Sequence, residues 1–188
     1  MRTAKRIDLP ASREALAALS VGEEVALFGD VYTARDATHA RLLAELEASG
    51  ELPFGLAGQT LFYAGPTPAA AGRPVGAVGP TTAKRMDAAT PALMGAGIVA
   101  TIGKGARSGA VRDACVATGG VYFAAVGGAA ALLATHVDDV EPVAYAELGT
   151  EALVRMRLVG LPAFVALDTR GGDLYAQAPA DWRAQVPR

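Results

Sequence analysis

Cations and hydroxyls gather in three glycine-punctuated segments: Thr33-Ala34-Arg35-Asp36, Gly79-Pro80-Thr81-Thr82-Ala83-Lys84-Arg85 and Gly103-Lys104-Gly105-Ala106-Arg107-Ser108. A fourth, Gly127-Gly128, offers bare backbone. Arginine grips a carboxylate through two parallel hydrogen bonds and lysine supplies a compact charge, so two arginines with a lysine suit a small dianion. Thr81 or Thr82 can cap a helix that follows, leaving backbone N–H groups and a positive helix end facing an anion, with Arg85 projecting from the same first turn. Glycines beside Lys104 would let a ligand approach the backbone. The same pattern also fits an ordinary solvated turn, and for Lys84 and Arg107 the solvated surface charge is the expected reading.

The remaining reactive side chains are few. His39 and His136 are the only histidines, and neither has a second histidine or cysteine at ligand spacing, so no metal site is expected from this chain. His39 lies four residues after Arg35 and is expected to be structural or to stand behind the ligand-binding residues. The lone cysteine, Cys115, cannot form an intramolecular disulfide or by itself hold a metal, and its apolar neighbours suit a small core residue. A Walker loop is ruled out because Ile98 stands where its first glycine belongs and Gly105 where its Ser or Thr belongs; no G-x-G-x-x-G opens a helix early in the chain.

These segments need strands to carry them. Val25–Gly29 suits a buried strand; Asp36–Ser49 has helical apolar spacing and ends at Gly50. Thr60–Ala64 and Val75–Val78 are two further expected strands around an irregular loop, 65–74. Strand and helix then alternate: helix Ala83–Met94, strand Gly97–Ile102, helix Ser108–Thr118, strand Val121–Val126, helix Ala129–Leu133. Strands follow at Glu141–Ala144, Ala163–Leu167 and Asp173–Ala176. Such alternation predicts an α/β fold with a parallel sheet and right-handed crossovers, an N-terminal β-rich portion packing upon it.

With 188 residues, 52% of them hydrophobic, the chain can bury a sizeable core, and residues 1–188 are expected to form one domain. Seventeen basic against 19 acidic side chains leave a net charge of −2, which gives no reason to expect nucleic acid or a membrane surface as partner. Apolar runs such as Gly119–Thr135 fall short of the roughly 20 residues that span a bilayer. The N-terminus is basic without a following apolar stretch, so a cytoplasmic location is expected.

In order along the chain, Thr33-Ala34-Arg35-Asp36 with His39, Gly79-Pro80-Thr81-Thr82-Ala83-Lys84-Arg85-Met86-Asp87, Gly103-Lys104-Gly105-Ala106-Arg107-Ser108 and Tyr145-Ala146-Glu147-Leu148-Gly149 resemble the beta region of class I fumarases and tartrate dehydratases. The similarity covers nearly the whole chain. It implies a swivelling three-layer β/β/α domain with a central parallel sheet, closing over a larger alpha subunit in a heterotetramer. That partner would hold a [4Fe-4S] cluster through three cysteines, its free iron acting as a Lewis acid on the substrate hydroxyl. The implied activity is a hydro-lyase reaction, fumarate to (S)-malate, active only with the alpha subunit. Tartrate to oxaloacetate is the alternative, and a dicarboxylate-binding module without chemistry a third. Carried over by position, Arg35, Arg85 and Lys104 would bind substrate and Thr81 would relay or orient a proton. Gly103–Ser108 and Gly119-Gly120-Val121-Tyr122 resemble fumarase more than tartrate dehydratase.

Overall fold

The computed structural model describes residues 4–185. In chain order the elements are β1 (Lys5–Leu9), α1 (Arg13–Ala17), β2 (Glu24–Thr33), α2 (Asp36–Ser49), β3 (Thr60–Phe62), a 3₁₀ turn (Ala83–Met86), α3 (Thr90–Gly95), β4 (Ala100–Gly103), α4 (Gly109–Thr118), β5 (Val121–Ala125), α5 (Ala130–Ala134), β6 (Val137–Ala144), a second 3₁₀ segment (Ala146–Glu151), β7 (Leu153–Leu167) and α6 (Leu174–Gln185). The fold is mixed α/β.

The seven strands form one sheet in the order β1-β2-β3-β4-β5-β7-β6. Each neighbouring pair from β1 to β5 is parallel. β7 is antiparallel to β5, to β6 and also to β2. Ala163 pairs with Val25 on one edge and Ala125 on the other, so β2, β3, β4, β5 and β7 make a closed circuit and the sheet is partly closed as a barrel. It is therefore not uniformly parallel, and the expected separate N-terminal β portion is absent as such: β2 is shared by the whole sheet.

Alternation along the strands sorts the core into two clusters. Phe62, Ile102, Val121 and Phe123 face one, with Leu27, Val31 and Leu158. Leu61, Tyr63 and Tyr122 face the other, where Leu42 of α2, Leu93 of α3 and Val111 and Cys115 of α4 cover them. β3, β4 and β5 are buried along their whole length, which suits short parallel strands covered on both faces.

Several expectations need correction. Val75–Val78 is irregular rather than a strand, with Gly76 and Ala77 held by Thr67 instead of by a ladder. The expected helix Ala83–Met94 divides into the 3₁₀ turn and α3, Pro91 opening the latter. Asp173–Ala176 starts a helix, because the Asp173 carboxylate accepts the N–H of Tyr175 at 2.9 Å. The expected strand Ala163–Leu167 is only the end of the 15-residue β7. By contrast α2 ends as expected, with left-handed Gly50 donating to the Leu46 carbonyl at 2.8 Å.

Candidate functional site

The carboxyl ends of β2, β3 and β4 lie side by side, and the cationic segments continue from them. Ligands of α/β sheets bind at such ends. Arg35 stands between β2 and α2 at the position that would cap the helix, but its side chain makes no cap. Glu151, 114 residues beyond Ala37 in sequence, does so instead: its Oε2 accepts the Ala37 N–H at 2.8 Å. Its Oε1 lies 3.4 Å from Arg35 Nη2. Arg35 Nε is buried and has no acceptor among the described residues, leaving a spare donor.

Thr81 is fixed through its backbone. Its N–H donates to Tyr63, just past β3, at 2.6 Å, and its carbonyl accepts from Lys104, just past β4, at 3.1 Å. The Lys104 carbonyl accepts from Ala83 at 2.9 Å, so residues 81–83 ladder onto Lys104. Gly103 permits this crossing, since a Cβ there would stand 2.9 Å from that of Ala83 and 3.0 Å from the Tyr63 ring. The space beside Gly103 is thus filled by protein rather than left for a ligand. Nor is there a helix end of the expected kind: Thr82 makes no side-chain cap, and the turn it opens is one four-residue 3₁₀ segment.

Arg85 leaves that turn toward α2. Its Nε donates to Asp36 Oδ1 at 3.0 Å and its Nη2 lies 2.7 Å from Oδ2, a two-point carboxylate contact. Asp36 follows Arg35 directly, so the pair draws both arginines to the N-terminal end of α2. Lys104 is half-buried and forms no ion pair among the described residues. Its chain runs beside Gly127, Nζ lying 3.9 Å from where a Cβ there would stand, at the edge of a cleft of about 450 Å³ that Phe164 and Tyr175 also line. The structure therefore brings Arg35, Thr81, Arg85 and Lys104 to one end of the sheet. Lys84 is exposed, as expected.

Arg107 is not the solvated charge expected of it. Its side chain is fully buried, with Nε donating to Asp87 Oδ1 at 2.6 Å and Nη2 to Thr90 Oγ1 at 2.7 Å. The rings of Tyr122 and Tyr63 lie 4.9 and 5.2 Å from the guanidinium carbon. Sequence reasoning overlooked Asp87 and Glu151 as the groups that hold the cations. No local signal could have found them, because Glu151 stands far along the chain from Arg35 and Asp87 stands 20 residues before Arg107.

His39 is buried, its Nδ1 donating to the Arg35 carbonyl at 2.8 Å and its ring edge-on to Tyr63. Burial pushes it down to about 4, so the ring is neutral near pH 7; nearby Arg107 works in the same direction, against the Arg35 carbonyl and Asp36. Cys115 is buried and its thiol is pushed up to about 12 by that burial. No group of three or more His, Cys, Asp and Glu suited to a metal exists among the described residues, and a single buried, protonated thiol does not fit an iron-sulfur cluster. No helix among those residues is long and apolar enough to cross a membrane.

Known proteins resemble this chain along most of its length. The family model described as fumarase C-terminus matches residues 1–178. "Fumarate hydratase class I, anaerobic" of Escherichia coli (strain K12) is 40% identical over 170 residues, covering 88% of this chain and 31% of that protein. "Fumarate hydratase 2" of Leishmania major is 36% identical over 170 residues, 89% of this chain and 30% of its own. "L(+)-tartrate dehydratase subunit beta" of Escherichia coli (strain K12) is 32% identical over 179 residues, 92% of this chain and 87% of its own. The chain thus spans about a third of the length of the fumarate hydratases it matches, and most of that tartrate dehydratase subunit. The sheet-end cluster of cations and the match along nearly all of its length lead to one conclusion: this chain belongs to the fumarase C-terminus family, whose relatives here are hydro-lyases.

Proposed function

We propose that this chain is the beta part of an iron-sulfur hydro-lyase that hydrates fumarate reversibly to (S)-malate, working with a larger alpha subunit in a heterotetramer. The observation that supports this is that the segments carrying Arg35, Thr81, Arg85 and Lys104 lie at one sheet end, with Arg85 in contact with a carboxylate, that of Asp36. Since this chain's residues do not fit a cluster, the [4Fe-4S] group is assigned to the partner and no step here runs through it.

The chain's own residues bind and orient. Arg35 and Arg85 hold substrate carboxylates. In the dehydration direction a proton leaves the carbon next to a carboxylate, and charge builds on that carboxylate; fixed cations lower the barrier to this. Lys104, which forms no ion pair among the described residues, is available for that task together with the arginines. Thr81, anchored on both sides through its backbone, orients or relays a proton, because a threonine hydroxyl alone is a poor base. The swivelling of a β/β/α domain over the alpha subunit belongs to the same proposal.

Higher identity to a fumarate hydratase, 40%, than to the tartrate dehydratase subunit, 32%, favours fumarate. Tartrate is the second reading, supported by the near-complete coverage of that subunit. The test is anaerobic co-purification with the candidate alpha subunit after cluster reconstitution, with assays on fumarate, malate and tartrate. Turnover that needs both chains supports the proposal, and the substrate turned over decides between the readings. Dicarboxylate binding by this chain alone, without partner or turnover, overturns it in favour of a binding module.

A further inference from the structure

We propose that Asp87 and Arg107 are positioning residues that fix the separation of Arg85 from Lys104, and thereby the span of dicarboxylate the site accepts. The inference rests on the dicarboxylate reading above.

Asp87 lies two residues after Arg85. One of its oxygens accepts Arg107 Nε at 2.6 Å and the other accepts the Ser108 N–H, also at 2.6 Å. Arg107 and Ser108 follow Lys104 by three and four residues, so a single carboxylate ties the segment carrying one clamp cation to the segment carrying the other. Arg107 anchors that tie: its remaining nitrogens donate to Thr90 Oγ1 at 2.7 Å, at the start of α3, and to Thr101 Oγ1 at 3.3 Å, within β4. Tyr122, whose ring packs on Arg107, donates its hydroxyl to the Gly105 carbonyl at 2.9 Å and holds the turn just beyond Lys104.

The backbone of residues 81–83 is laddered onto Lys104, but beyond Ala83 the turn that carries the Arg85 side chain needs a further tie. Its local support is Arg85 N–H to the Thr82 carbonyl and Asp87 N–H to that of Lys84, both at 3.3 Å, and one 3₁₀ turn does not hold itself in place. Nor does stability alone account for a buried ion pair, since well-packed apolar residues often serve as well. What the pair supplies is a defined distance between the 3₁₀ turn that carries Arg85 and the loop that follows β4.

The test uses the reconstituted complex with its alpha subunit and competitive inhibition by malonate, succinate and glutarate, which differ in the separation of their carboxylates. Inhibition constants do not depend on how much of the preparation is active, so a merely structural role leaves their ratios unchanged. Wild type is expected to prefer succinate. Asp87→Asn, and the milder Tyr122→Phe should the first fold poorly, are expected to flatten the succinate-to-glutarate ratio by about fivefold or more. Unchanged ratios in both variants, whatever the loss in kcat or thermal midpoint, overturn the positioning role and leave the proposed function standing. A wild-type complex without selectivity among the three overturns it as well, and one that neither hydrates fumarate nor binds any of them overturns both.

Discussion

Arg35 lies across the backbone of Gly65, its Nη1 2.6 Å and its Cδ 3.2 Å from the point where a Cβ at position 65 would stand. The missing side chain is what lets the guanidinium settle beside Glu151. Gly65→Ala is expected to push the guanidinium aside, raising KM for the dicarboxylate about tenfold, or 1.4 kcal/mol, with little change in thermal midpoint. Steady-state kinetics of the complex check this, and a KM within twofold of wild type would remove Arg35 from the substrate-binding residues.

Arg85→Ala separates binding from folding. The Arg85–Asp36 pair is half exposed, so its loss should cost under about 1 kcal/mol of stability and leave assembly with the partner intact. Turnover should suffer far more, since removing a group that meets developing charge costs roughly 2.7–4 kcal/mol, or about 100-fold or more in rate. Arg85→Lys should recover only part, because an ammonium cannot make the two-point contact. Near-normal kcat/KM in Arg85→Ala would sink the clamp.

Stability should fall on acidification through His39. The buried ring titrates at about 4, against about 6.5 when unfolded. Between those values the unfolded chain binds more protons, so stability is fully present above about pH 6.5 and is lost as pH falls toward 4. The loss is of order 3 kcal/mol. Denaturant melts at pH 7.5 and 4.5 should show a smaller difference for His39→Gln than for wild type; equal differences would assign the acid sensitivity to other groups.

Cys115 should be inert in the native protein. A buried thiol pushed up to about 12 presents almost no thiolate at neutral pH, so a disulfide reagent should label nothing until denaturant is added. Rapid native labelling would mean that α4 lifts away from the sheet.

Much of the site was legible because its cations follow directly from strand ends: a Thr-Ala-Arg-Asp run after β2 and a Gly-Lys-Gly run after β4 mark where a sheet hands over to loops. Arg107 was misjudged because a charged side chain in a glycine-rich turn looks solvated, and its partner Asp87 stands 20 residues earlier in sequence. β7 was recognised only at its end, since Gly160 and Pro162 interrupt its apolar pattern; Gly160 is left-handed, next to the register shift opposite Leu27 and Phe28. β1 escaped notice because Lys5, Arg6 and Asp8 share its five residues, and only Ile7 and Leu9 turn inward. Local pattern predicts where a strand can lie, whereas the closure of the sheet depends on pairings more than 100 residues apart, such as Leu27 with Leu161.

That closure sets an order of events during synthesis. β2 and β5 each expose an edge until β7 arrives, and β7 follows both in the chain. An unpaired edge is a template for pairing with another chain, and contacts of such sequence separation form slowly. The nascent chain therefore carries these two open edges until residues 153–167 are made, and one and the same strand covers both.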